Sequence, residues 1–251
     1  MYSFKPIGHL TTPFKEKFGV PRQSMMMSEA RGFLKLYPEP RNTLALRNLE
    51  QFSHVWILFV FHKNRQKAWN PLIETPRLDA MQRMGVFATR SPDRPNPVGM
   101  SALKLESIDF HAADGIEIHL SGLDILDGTP VLDIKPYVPY ADCLPEANSG
   151  WIQSEIQRYP VTFSVQSLQA LRSLEQYPHL QKLIIQMLEL DPRPTSQKRS
   201  APIMDSRSIG LKFAFRVLHL DIHWEIRDVG IWVDRLIDCS SSLPDMHRSK
   251  E

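Results

Sequence analysis

Four polar segments interrupt an apolar, strand-like N-terminal half, and each carries side chains able to grip a ligand. KEKFGVPRQ (15–23) sets Arg22 and Gln23 behind a proline, with Ser24 following. His62 and Lys63 close the apolar run FSHVWILFVFH (52–62). RSPDRPNPVG (90–99) packs three prolines, two arginines and an asparagine into ten residues. The fourth segment, GLDILDGTPVLDIKPYVPYAD (122–142), places Asp-Gly-Thr-Pro (127–130) between two strand candidates. Arg90 and Arg94 offer planar forks that suit a carboxylate or phosphate, and Asn96 offers the paired donor and acceptor of a base-edge reader. Each feature alone has a plainer explanation. Arg22 and Gln23 fit a solvated loop, a histidine closing a buried strand is usually a structural hydrogen bonder, and Asp-Gly is a strong hairpin signal. A proline-rich loop is also a rigid connector.

The elements that must position these segments are short extended runs rich in β-branched and aromatic residues. Strands are expected over 4–10, 32–36, 54–61, 84–89, 98–110, 115–120 and 131–134, a spacing that suits a barrel. Val55 to Phe61 is apolar at every position, which predicts a central strand covered on both faces. Leu44, Leu46, Leu49 and Phe52 predict a short helix before it. Residues 146–159 turn polar and lose periodicity, as a linker does. Beyond it, leucines and isoleucines at helical spacing over 167–177 and 179–190, broken at Pro178, precede two or three strands within 212–236. The expected organisation is a barrel over 1–145, the linker, a small α+β domain over 160–238 and a flexible tail over 239–251.

Composition removes several function classes. Twenty prolines against 11 glycines imply stiff, ordered loops. Cys143 and Cys239 lie far apart without partners at metal-ligand spacing, so both read as free thiols, with no disulfide framework and no metal. No stretch has transmembrane length and the first ten residues lack the order of a signal peptide, so a cytoplasmic protein without membrane contact is expected. A net charge of +2 permits nucleic-acid binding through a local patch without demanding it. There is no GxGxxG after a strand, no Walker loop, no HExxH, no GxSxG and no Cys/His cluster.

Taken together, PRQ (21–23), FSHVWILFVFH (52–62), RMGVFATRSPDRPNPVGMS (83–101), DGTPVLDIKPY (127–137) and DPRP (191–194) resemble the signatures of one family. It is the S-adenosylmethionine-dependent tRNA methyltransferases of single-sheet β-barrel type, which methylate N6 of threonylcarbamoyladenosine at position 37, beside the anticodon. The resemblance spans nearly the whole chain; Ser196 departs from it, standing where an aromatic residue follows DPRP. It implies a mostly β barrel of non-Rossmann methyltransferase type with a small C-terminal α+β domain, and a homodimer with the donor near the subunit interface. It also implies S-adenosylmethionine held by Arg22, Gln23, Ser24, His62, Lys63, Arg90, Met100, Asp127, Gly128, Thr129 and Pro130, without a metal.

For that reaction Asp127 and Asp133 are the candidate proton or hydrogen-bond acceptors, with Tyr137 a lesser one. Arg94, Asn96, Lys135 and Arg193 are expected to recognise the modified nucleotide, because a threonyl carboxylate needs a cationic partner. Lys63, Arg65, Lys67, Arg77, Arg83, Lys135, Arg193, Lys198, Arg199 and Arg207 are candidates for phosphates of the anticodon arm. Trp69, Tyr137 and Tyr140 are candidates for stacking an extruded base. Two other readings use the same residues. A nucleic-acid-binding barrel without catalysis would not bind the donor, and a small-molecule methyltransferase would prefer small acceptors to tRNA.

Overall fold

Alternation of apolar and polar residues builds the N-terminal half, because successive side chains of a strand point to opposite faces. In the computed structural model, which describes residues 2–64, 69–74, 83–152 and 156–240, six strands close into an antiparallel barrel of order β1-β2-β7-β6-β3-β8. In chain order the elements of this half are β1 (Gly8–Thr11), β2 (Arg31–Leu36), a single helical turn α1 (Asn42–Ala45), β3 (His54–Val60), β4 (Leu72–Glu74), β5 (Arg83–Gly85), β6 (Val98–Ala112), β7 (Gly115–Ser121), β8 (Pro130–Pro136) and α2 (Pro139–Asp142). β4 and β5 form their own two-stranded ribbon. The basic residues Arg65, Lys67 and Arg77 lie outside the described residues, as does the tail beyond residue 240.

The barrel interior is filled by Leu10, Leu34, Val55, Ile57, Phe59, Leu103, Ile118, Leu120 and Val131, all essentially buried. Each aliphatic or aromatic side chain so buried contributes about 1.5–3 kcal/mol relative to exposure. β6 is long enough to serve two neighbours because register shifts at Leu105/Ser107 and Asp109/Ala112 bend it around the wall. Gly99 faces the interior opposite Phe59, and a Cβ there would sit 2.3 Å from the Phe59 ring.

Three expectations need correction. β3 is not covered on both faces: Val55, Ile57 and Phe59 point inward, while Trp56 and Leu58 are half-buried on the outside. The strand expected over 84–89 is β5 followed by a 3-10 turn at Val86–Ala88. There the Thr89 hydroxyl donates to the Val86 carbonyl at 2.8 Å and Arg94 donates to the Thr89 carbonyl at 2.8 Å, so side chains satisfy the backbone in place of a ladder. The helix expected around Leu44 to Phe52 is split, because Asn48 takes φ 67 between α1 and a 3-10 turn at Leu49–Gln51.

The chain divides into two compact units, Met1–Thr12 with Pro21–Ile156, and Pro13–Val20 with Gln157–Glu251. The second unit holds β9 (Val161–Phe163), α3 (Val165–Arg172), α4 (Leu180–Glu189), α5 (Thr195–Ser200), β10 (Lys212–Val217), β11 (Leu220–Arg227) and β12 (Gly230–Asp238). Its sheet runs β10-β11-β12-β9, with β9 parallel to β12. α4 buries Leu180, Leu183, Ile184, Met187 and Leu188, an apolar stripe at helical spacing. The segment 13–20, expected within the barrel domain, belongs to this unit: Phe14 is fully buried, Glu16 accepts the Arg216 backbone N–H at 2.9 Å, and the Leu218 N–H donates to the Pro13 carbonyl at 2.9 Å.

Candidate functional site

The strand registers decide which loops meet. Phe59 pairs with Val131, Val60 with Val98, Thr11 with Phe33 and Arg31 with Ser121. β1, β3 and β7 therefore end where β2, β6 and β8 begin. The described residues of 21–30, 61–97 and 122–129 emerge at that one rim, and with them come Arg22, Gln23, Ser24, His62, Lys63, Arg90, Arg94, Asn96, Asp127, Gly128 and Thr129.

Specific bonds join these loops. Arg90 Nη1 donates to Gln23 Oε1, linking segments 67 residues apart. The Thr129 hydroxyl and His62 Nδ1 lie 3.3 Å apart, and the same hydroxyl donates to the Leu126 carbonyl at 2.6 Å. Asp127 Oδ1 accepts the Thr12 backbone N–H at 2.8 Å, anchoring the Asp-Gly-Thr-Pro turn to the end of β1. Gly128 has φ +71, a conformation that favours glycine. A Cβ built there meets nothing within 4 Å, so this turn leaves its backbone open to an approaching ligand.

Beneath these loops stands a carboxyl that sequence reasoning missed, Asp124. Ser101 Oγ donates to Asp124 Oδ1 at 2.6 Å. The residue keeps some surface, but protein atoms crowd its carboxyl. Burial pushes its pKa from 3.8 up to about 6, against the pull of the Ser101 hydroxyl, its own backbone N–H, the Arg90 charge and the Ser24 backbone N–H. The sequence offered one signal: Asp124 is the lone acid between buried Leu123 and Ile125, and such an acid needs partners.

Other expected site residues lie elsewhere. Asp133, Lys135 and Tyr137 alternate along the outer face of β8, in register with Leu58, Trp56 and the start of β3. Asp133 pairs with Lys135 at 3.0 Å, and Tyr137 packs its ring 5.6 Å from Trp56. Tyr137 thus sits at the opposite end of the barrel from Thr129, about 26 Å away by strand rise. Met100 is 57% exposed on the outside, opposite Leu58, one residue from the inward Ser101.

Two arginines expected to read substrate are internal braces. Arg94 turns its Nη1 onto the backbone carbonyls of Val86, Thr89 and Ser91, which stiffens the proline-rich loop. Arg193 belongs to the second unit, with a side chain only 2% exposed. Its Nε and Nη2 donate to Asp191, each at 2.8 Å, and its Nη1 to the Ala201 carbonyl at 2.8 Å, which braces the DPRP segment. Asn96 and Lys63 are exposed, and Trp69 and Tyr140 are exposed aromatics.

The model of the tRNA-methyltransferase O N-terminal domain matches residues 9–143, and that of the TrmO C-terminal domain matches 156–238. The chain belongs to the tRNA-methyltransferase O family. An Escherichia coli (strain K12) relative named tRNA (adenine(37)-N6)-methyltransferase is 41% identical over 92% of this chain and 96% of its own. A human relative of the same name is 45% identical over 55% of this chain, which is 30% of the human protein. A crystal structure of TrmO from Pseudomonas aeruginosa superposes with a TM-score of 0.74 at 36% identity, covering 94% of this chain and 98% of that one. The mostly β barrel with a C-terminal α+β unit is thus the tRNA-methyltransferase O architecture. Among its described residues no group of three or more His, Cys, Asp or Glu could hold a metal ion, and no helix is long and apolar enough to cross a membrane.

Proposed function

We propose that this protein transfers the methyl group of S-adenosylmethionine to N6 of adenosine 37, beside the anticodon of tRNA, with threonylcarbamoyladenosine as acceptor. The observation that carries the reading is the convergence of residues 22–24, His62, Arg90 and Asp127–Pro130 on one barrel rim in a chain of this family. The residues suit the donor's chemistry: the crowded carboxylate of Asp124 faces cationic groups well, Arg90 and Gln23 suit a carboxylate, and the open turn at Gly128 admits a flat ring. When bound, the donor supplies an electrophilic methyl on a sulfonium.

The chain's own residues bind, align and manage the proton. The exocyclic nitrogen of adenine is a weak nucleophile because its lone pair is delocalised, so alignment with the methyl carbon supplies much of the acceleration. Of the three acceptors considered from sequence, Asp127 is the one at the rim, and it is our choice for taking the N6 proton or orienting its N–H. Asn96 and Lys63, exposed there, serve the base and its carboxylated substituent. A homodimer fits the outer strip of Trp56, Leu58 and Met100, an apolar surface that a second copy would cover. A cytoplasmic location goes with such a substrate.

The test is methyl transfer by the purified protein to matched tRNAs with and without the threonylcarbamoyl group. Transfer to the modified RNA alone is expected. Equal rates on both remove the carboxylate-recognition reading, and transfer to neither removes the activity. In cells lacking the protein, mass spectrometry of tRNA nucleosides should lose the methylated threonylcarbamoyladenosine and nothing else.

A further inference from the structure

We propose that Asp124 is a positioning residue of the donor site, whose ionised carboxylate ties the 21–25 loop, Arg90 and the barrel wall at Ser101 into the shape that receives the donor. This rests on the rim being the donor site. Three segments expected from sequence to hold the donor meet at this one side chain. The Ser24 backbone N–H and the Arg90 charge both act on its carboxyl. The third contact is Ser101 Oγ at 2.6 Å, from the residue next to Met100. Arg90 in turn holds Gln23, and the Met25 N–H donates to the Gly122 carbonyl at 2.9 Å, so the loop bearing Arg22 to Ser24 is docked on the turn that carries Asp124.

The fit at that turn is tight. Gly122 has φ +77, and a Cβ there would lie 2.2 Å from the Met25 sulfur. Movement of Asp124 is therefore transmitted to residues 22–25. A buried carboxylate whose partners fully repaid its desolvation would keep its pKa at or below the ordinary value. Asp124 instead stays under-compensated, with a pKa near 6. A crowded acid whose partners do not repay its desolvation weakens the fold at neutral pH, which is the mark of a group retained for a site. It leaves room for one more positive partner, and the donor is a cation at both its sulfonium and its ammonium.

The groups facing this carboxyl are Arg90, the Ser101 hydroxyl, and the backbone N–H groups of Ser24 and Asp124 itself. Asp127 and His62 stand on neighbouring loops of the same rim, so donor binding has to be followed against pH in variants that keep both. The experiment is calorimetric titration of the full chain with S-adenosylmethionine from about pH 5.5 to pH 8.5, for wild type, Asp124→Asn and Ser101→Ala. In the wild type Kd should rise as pH falls through about 6. Asp124→Asn, which keeps the shape and removes the charge, should raise Kd about tenfold at pH 8. It should also flatten the pH profile and leave the urea midpoint at pH 8 no lower than wild type. Ser101→Ala, which removes the hydroxyl that favours the ionised form, should move the acid limb to higher pH. In turnover, Asp124→Asn should raise the KM for donor more than it lowers kcat.

Wild-type affinity in Asp124→Asn at pH 8, or an acid limb that persists unchanged in it, overturns the proposal while leaving the methyl-transfer reading intact. If Asp124→Asn does not fold, an unshifted limb in Ser101→Ala overturns it. No association of wild type with the donor at any pH overturns both.

Discussion

Arg90 and Arg193 are the same residue in opposite circumstances. At the barrel rim, exposed Arg90 leans on a neutral amide, Gln23, and faces an acid that neighbouring protein crowds without neutralising. In the second unit, Arg193 is almost wholly buried against Phe213 and Trp224 and held bidentately on Asp191. Burial with complete pairing makes a brace, because neither charge can leave without exposing the other to an apolar interior. Partial exposure with incomplete pairing makes a binding site, since the unfilled valence belongs to something else. Charge and residue type do not separate the two; the completeness of the hydrogen bonding does.

Breaking the buried member should give the largest effect. Arg193→Ala leaves the buried Asp191 carboxylate without its cationic partner and is expected to destabilise the second unit by about 3–5 kcal/mol in urea denaturation followed by tryptophan fluorescence. Donor affinity of the folded fraction should be unchanged. Arg90→Ala should reverse the pattern. Donor Kd measured by calorimetry should rise by the equivalent of about 1.5–3 kcal/mol, the worth of a charge-assisted hydrogen bond. Its urea midpoint should stay within about 0.5 kcal/mol of wild type.

The pH dependence of stability sharpens the same contrast. The folded protein holds the Asp124 proton up to about pH 6, whereas an unfolded aspartate releases it near 3.8. Proton uptake therefore favours the native state: this contribution is complete below about pH 4 and is lost as pH rises through about 6. It amounts to roughly 2 kcal/mol after allowance for partial exposure. Urea midpoints of wild type minus Asp124→Asn, taken across that window, should fall with rising pH; a rise would show the acid to be fully paired. The smallest effect is expected at the exposed pair Arg207–Asp205, 2.6 Å apart, where Arg207→Ala should leave the midpoint within error.

Much of this was readable in the residues. Short runs rich in β-branched and aromatic residues mark the barrel strands, and the leucine and isoleucine spacing of 179–190 marks α4, because periodicity reports which face will be buried. Boundaries were less readable where side chains replace backbone partners. The residues of the 3-10 turn Val86–Ala88 look like a strand, and only the bonds from Thr89 and Arg94 show why they are not one. The rim loops carried their chemistry visibly in Arg22, Gln23, His62, Arg90 and the Asp-Gly-Thr-Pro turn. At Asp124 the signal is weak, because an acid between two apolar residues does not reveal which distant groups will meet it.

Residue order by itself determined the barrel strands, the polar loops that interrupt them and the family to which the chain belongs, since all three are written in neighbouring positions. Tertiary structure alone decided that Tyr137 lies at the far end of the barrel from Asp127, that Arg193 is buried on Asp191 in the second unit, and that Ser24, Arg90 and Ser101 converge on Asp124. The reason is strand register: pairing between segments tens of residues apart sets which end and which face a side chain occupies, and a shift of one residue would reverse the face.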